Sequence, residues 1–324
     1  MKKLAYLGII AGLALLTALV VLEGWTDILS AFRHAGWGLL LVVPARLLTL
    51  ALDARAWRVL LDACDPARAA GPLFLLWVAS VRDAVNRLLP VAGVGGEVVG
   101  VRLARLRIAD TTGVTASVIV EVLLTIGVLY LFCGLGVVLM ARLAAGLGQV
   151  WIVGASLLLS LPLPLLAWWL LRHGAPFARL EAWALRLLGP GKRIALHLDG
   201  ARLDAGVRRL FGQRRRLLRA TALMLASYLL GSFETWYALR LLGHPVGVGT
   251  AVAIEALSQA TRHASFLVPA GLGVQEAAVL LFGQLAGVGG EVALALALVK
   301  RMREIVLGIP ALLSWQWVEA RRLR

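Results

Sequence analysis

The sequence predicts an all-α integral membrane protein: about six full spans plus two opposed re-entrant broken-helix hairpins in an inverted repeat. Three observations carry this. The 324 residues are 60% hydrophobic and 16% charged, with a mean hydropathy of +0.85, whereas a soluble domain is close to half apolar and about a quarter charged. Several apolar runs reach roughly 20 residues and are Leu/Ala-rich, unlike the alternating ~10-residue segments of a membrane barrel. A helix-breaking phrase also occurs twice, as Asn86-Arg-Leu-Leu-Pro-Val-Ala-Gly-Val-Gly-Gly-Glu97 and Ser265-Phe-Leu-Val-Pro-Ala-Gly-Leu-Gly-Val-Gln-Glu276. In each a Gly-x-Gly follows the proline and a glutamate lies seven residues past it, with the copies 179 residues apart.

Taken in order, span 1 covers 4–22 behind Lys2 and Lys3. Its run is too long for a signal-peptide core and no A-x-A-like site follows, so it is expected to be retained. A short loop with Glu23, Asp27 and Arg33 follows, and Trp25 and Trp37 suit an interface. Span 2 (37–61) carries Arg46, Asp53 and Arg55, and a polar loop with Asp62, Asp65 and Arg68 leads to the first broken element, 72–107. Span 3 (112–139) holds Glu121, span 4 covers 150–171, and 172–219 is a long polar segment. Span 5 (220–242) holds Glu234, the second broken element is 250–287, and span 6 (291–318) carries Lys300, Arg301, Arg303 and Glu304 near its middle. The whole, 1–324, reads as one polytopic membrane domain, with 1–171 and 220–324 as its halves.

Charge sets the orientation. Of the formal net +15, the 172–219 segment contributes +9, from 12 Lys/Arg and 3 Asp/Glu. Lys/Arg bias therefore places it in the cytoplasm, with both termini. If 72–107 crossed the membrane once, this segment would fall outside. If it enters from the cytoplasm and returns, Arg102, Arg105, Arg107 and the +9 segment all end inside. The same logic makes 250–287 a hairpin entering from the outer side, giving the two halves inverted topology. Gly/Pro-interrupted segments at matching positions of two halves are the pattern of secondary transporters.

Proline removes a backbone donor and glycine permits reversal. In hydrocarbon the freed N–H and C=O groups cost several kcal/mol each, roughly, unless protein or water satisfies them. The breakers Pro90, Gly93, Gly95, Pro269, Gly271 and Gly273 are thus expected to line a polar cavity. Glu97 and Glu276 lie in the first turn after their breaks, at the positive end of a new helix. Capping and substrate contact are both open for them.

Charges at membrane depth usually face a cavity or one another. Eight cations (Arg46, Arg55, Arg82, Arg87, Arg262, Lys300, Arg301, Arg303) stand against eight carboxylates (Asp53, Asp83, Glu97, Glu121, Glu234, Glu255, Glu276, Glu304). Mutual pairing is one reading, with Asp83/Arg87 and Lys300/Glu304 at i,i+4 spacing. Arg55 suits snorkelling to the interface. The Lys300, Arg301, Arg303 cluster is harder to neutralise locally, as are Arg82 and Arg262, one on each hairpin. These five are expected to face a shared cavity and hold an anionic group, most plausibly a lipid phosphate. Arg87, Glu97, Gln275 and Glu276 complete the candidate substrate-binding set. His263 is expected to serve as a hydrogen-bonding helix residue.

In 172–219, Phe177, Leu180, Trp183, Ala184 and Leu187 fall at helical spacing, and Val207, Leu210 and Phe211 lie among Arg208, Arg209, Arg214, Arg215 and Arg216. This predicts amphipathic helices on an anionic leaflet, or a charge block that only sets topology. No nucleic-acid-binding fold accompanies the charge. Cys64 and Cys133 are not expected to pair, no Cys/His cluster has zinc spacing, and no nucleophile motif or P-loop is present. No metal or cofactor is expected.

With its two phrases, the chain resembles the flippase-like membrane domain of the lysylphosphatidylglycerol synthase family, bacterial multi-spanning proteins. Leu89-Pro-Val-Ala-Gly-Val-Gly-Gly-Glu-Val-Val-Gly-Val-Arg102 and Val268-Pro-Ala-Gly-Leu-Gly-Val-Gln-Glu-Ala-Ala278 look closest to its hopanoid-biosynthesis-associated branch, the HpnL type. The resemblance implies lipid handling at the inner membrane. Full-length synthases add a soluble aminoacyl transferase. The given sequence ends at Arg324, soon after span 6, so that activity is not expected of it. Three functions follow as expectations: a lipid translocase, a membrane-embedded headgroup-modifying enzyme using Glu97 or Glu276 as acid/base, or a scaffold docking lipid-synthesis enzymes through 172–219.

Overall fold

The computed structural model describes residues 36–89, 95–143, 154–156, 158–188, 199–265, 268 and 271–322. Span 1, Pro90, Gly93 and Pro269 lie outside the described residues. Among the described residues every regular element is helical. A 3-10 turn, Gly36–Leu41, runs into α1 (Val42–Leu61). The first broken element is α2 (Pro72–Leu88) and α3 (Gly95–Ala104), and α4 (Thr111–Leu143) follows. Then come α5 (Pro162–His173), α6 (Pro176–Leu188) and α7 (Gly200–Phe211). The second half is α8 (Arg214–Leu241), the broken pair α9 (Val248–Ala264) and α10 (Val274–Leu285), and α11 (Gly290–Arg322). Gly36–Leu61, Thr111–Leu143 and Gly154–His173 are long and apolar enough to cross a membrane. α8 and α11 are equally long, but α8 starts in a run of arginines and α11 carries its charges mid-helix.

Local chemistry explains the boundaries. Pro72, Pro162 and Pro176 open their helices, where a missing N–H costs nothing. α2 stops at Leu88, and the next residue, Leu89, is extended, as a residue before proline must be. At the second break Gly271 and Gly273 have φ of +62° and +76°, a region that side-chain-bearing residues avoid.

The packing of one half is repeated in the other. α4 lies on α9, and its counterpart α11 lies on α2. α1 packs on α2 as α8 packs on α9, and α1 and α8 meet each other. Close glycines set two of these contacts. A Cβ at Gly136 would stand 2.6 Å from Ala256 Cβ, and one at Gly308 would collide with Leu88 Cδ1. Helices touching this closely gain dispersion, which must replace the hydrophobic effect in lipid. Large apolar side chains such as Leu131, Val138, Phe233 and Ile309 point outward.

The 172–219 segment departs from expectation in one helix. Leu203, Val207, Leu210 and Phe211 of α7 are buried with Leu60, Ala116, Val120 and Ala220. Its apolar face therefore packs on α1, α4 and α8 and is not free for a leaflet. α6 keeps Leu180 and Trp183 exposed. Asp204 joins the two helices by accepting from the Phe177 and Ala178 N–H groups at 3.3 and 2.9 Å, satisfying donors at the start of α6. Both cysteines are free.

Candidate functional site

Each half contributes a broken helix with polar residues before its break, and the two halves enclose a cavity of about 790 Å³. One part of its wall is charged, with residues from α1 (Arg46, Asp53), α2 (Arg82, Asp83, Asn86, Arg87), α4 (Glu121) and α9 (Glu255, Gln259, Arg262, His263), plus Glu97, Glu234 and Arg303. Another part is apolar, with Val122, Ile126, Leu129, Leu163 and Met224. The space is amphiphilic in shape and chemistry.

Most of the charges pair. Arg46 reaches Asp83 at 2.7 Å, and Asp83 also accepts from Arg87 at 2.6 Å. Arg87 continues to Glu304, crossing from α2 to α11. Glu304 further takes Arg301 at 3.0 Å and Arg303 at 3.8 Å. Arg303 pairs with Glu234, Lys300 with Glu255, and Arg301 with Glu276 at 2.8 Å. Arg82 serves two carboxylates, Glu121 at 2.9 Å and Glu97 at 3.6 Å, and lies over the Trp57 ring at 4.8 Å. The network thus ties α1, α2, α3, α4, α8, α9, α10 and α11 together.

Three expectations change here. Lys300 does not pair with Glu304: Glu255 on the facing α9 takes it, and Glu304 is occupied by three arginines. The Lys300–Arg303 cluster is fully neutralised, because each of its cations points to a different neighbouring helix. Local sequence shows only i,i+4 partners, whereas these partners come from up to 69 residues away. His263 lines the cavity, is exposed, and makes no side-chain hydrogen bond among the described residues.

Of the candidate set, Arg82, Arg87, Glu97, Arg262 and Arg303 line the large cavity together with Gly271. Gln275, Lys300, Arg301 and Glu276 do not. Gln275 and Lys300 border a small neighbouring cavity of about 10 Å³, and Glu276 is wholly buried against Arg301. Gly95 starts α3 and Gly273 precedes α10. Asn86 was not in the set. Its side chain accepts from Gly96 N–H at 2.8 Å and donates to Glu97 at 3.2 Å, so it braces the first break and aims Glu97. Its place opening the first phrase, four residues before Pro90, was the available signal.

Arg262 differs from the other cavity cations. Among the described residues no carboxylate lies within 4 Å of it and its guanidinium makes no hydrogen bond. It extends beside Gly271, whose Cβ position is 3.9 Å from Arg262 Nε. A guanidinium carries five donors, so this one presents an unused anion fork to the cavity.

The sequence profile of the lysylphosphatidylglycerol synthase TM region matches residues 9–311. The chain belongs to that family. Comparison with curated proteins gave no match, and neither did comparison with solved structures. The family match makes the chain a multi-pass membrane protein of lipid-related processes. In this lysylphosphatidylglycerol synthase TM region the profile spans both breaks and every cavity residue from Arg46 to Arg303.

Proposed function

We propose that the protein is a flippase-like lipid translocase that holds an anionic headgroup in the cavity between its halves. The observation that carries this reading is Arg262: among the described residues, a guanidinium without an ion pair in a cavity whose other cations are already neutralised. An unpaired buried charge is costly, and a phosphate oxygen pair matches the fork geometry. The apolar wall suits an acyl or other hydrocarbon body. The repeated packing of the halves supports an inverted pair of re-entrant hairpins that rock about the site.

In this reading the protein sits in the bacterial inner membrane with both termini and 172–219 in the cytoplasm. It serves hopanoid- or phospholipid-related lipid handling and moves its substrate unmodified. The test is reconstitution in liposomes carrying fluorescent phospholipid, with leaflet exchange read by quenching from outside. Wild type should exchange lipid faster than empty liposomes. Gly273→Leu, which forces a side chain onto φ +76°, should slow it at least about tenfold. Exchange equal to that of empty liposomes would sink the reading.

A further inference from the structure

The charge balance of the cavity network is not even. Leaving aside Arg55, which is exposed, the seven cations of the network face eight carboxylates. An incoming anion widens that excess of negative charge inside a low-dielectric interior unless a proton enters with it. One carboxyl is placed to take the proton. Among the described residues Asp53 has no cation within 4 Å, while every other network carboxylate has at least one. The groups facing Asp53 are Arg46 on its own helix, Arg82 and Asp83 on α2, Glu121 on α4, and Ser227 and Tyr228 on α8. Both arginines are committed elsewhere, Arg46 to Asp83 and Arg82 to Glu121 and Glu97. The Ser227 hydroxyl is a neutral partner, shared between the Asp53 carboxyl and the Thr49 carbonyl 3.2 Å away. Asp53 also sits where α1 meets α8, the contact that joins the two halves.

We propose that Asp53 is the proton site of the cavity and that its protonation and the binding of a phosphodiester headgroup at Arg262 favour each other. The proton comes from cavity water onto a carboxylate oxygen, and no bond to the ligand is made. Asp53 neutral and headgroup bound is one state of the site; Asp53 ionised and headgroup released is the other. Linkage is reciprocal, so headgroup affinity rises as pH falls and bound headgroup holds the proton on Asp53. This rests on the lipid-translocase reading above and supplies its coupling ion: proton and anionic lipid travel together.

The probe is fluorescent phosphatidylglycerol, whose phosphodiester keeps one charge over the range used. Its binding to the protein in nanodiscs of neutral lipid is titrated at about pH 5.5 and about pH 8. Wild type should bind at least about fivefold more tightly at the lower pH. Asp53→Asn, nearly isosteric and permanently neutral, should bind tightly at both, and His263→Gln should keep the wild-type dependence. Chain-free glycerophosphoglycerol, run as a competitor, separates recognition of the headgroup alone from recognition of the whole lipid. Infrared difference spectra should show a protonated carboxyl on lipid binding in wild type and not in Asp53→Asn. Binding that is equal at both pH values in wild type, or a dependence that survives Asp53→Asn, overturns the proposal while leaving the lipid site intact; loss of that dependence in His263→Gln would place the proton there instead. No binding at either pH overturns the lipid site as well.

Discussion

Glu276 shows what a residue's neighbours add to its sequence position. In sequence it stands at a helix start, where capping and substrate contact are both open. In the fold it is wholly buried, accepts two hydrogen bonds from Arg301 at 2.8 and 2.9 Å, and touches neither the cavity nor a helix cap. Removing one partner leaves a buried charge behind, so Glu276→Ala should lower stability by about 3–5 kcal/mol. The double variant Glu276→Leu with Arg301→Met should recover most of that. Thermal unfolding in detergent reads both; a double variant no better than the single one would contradict the pairing. Asp65 gives a pH signature outside the spans. It accepts from Arg58 at 2.6 Å and from the Ala69 and Ala70 N–H groups. Burial pushes its carboxyl up, but Arg58 and the two backbone donors outweigh this and hold it below the usual range. Its folded value lies below its unfolded one. Its contribution is therefore complete above about pH 4 and is lost as pH falls through the lowered folded value. Melting temperatures should fall with acidification more steeply in wild type than in Asp65→Asn, which should be about 2 kcal/mol less stable at neutral pH. Glu97 was legible as a cavity residue because its break precedes it directly. Asp53 was legible only as one charge among sixteen, since its lack of a cation within 4 Å among the described residues depends on what α2, α4 and α8 bring near it.

At the scale of elements, the broken helices could be read from proline and glycine spacing, because both residues act on their own backbone. The ends of α2 and α9 agree with that reading. The face of α7 was open in sequence: basic residues around Val207, Leu210 and Phe211 look the same whether the apolar stripe meets lipid or another helix. Hydropathy carries no record of partners. The same holds for the glycine contacts, where Gly136 and Gly308 sit in apolar runs like any others. Their role follows from the close approach of Ala256 and Leu88. Gly308→Leu should wedge α11 from α2 and cost about 1–3 kcal/mol. Gly127→Leu, with nothing within 4 Å of its Cβ position, should be nearly neutral. Thermal unfolding of the two variants side by side checks this, and equal losses would contradict the packing.

At the scale of the molecule, the two halves meet along α1 and α8, exchange contacts through α4 with α9 and α11 with α2, and leave an amphiphilic cavity between them. The duplicated phrase made the two-part plan visible from sequence, and the charge count made a paired network visible. The assignment of pairs, and with it the cavity cation left over among the described residues, needed all the helices in place. The central claim is that this leftover cation holds a lipid's anionic headgroup. Native mass spectrometry of the purified protein in anionic and neutral lipid tests it most directly. Wild type should retain anionic phospholipid in preference to neutral lipid, and Arg262→Gln should lose that preference at unchanged fold and mass. Equal retention by both proteins would contradict the account.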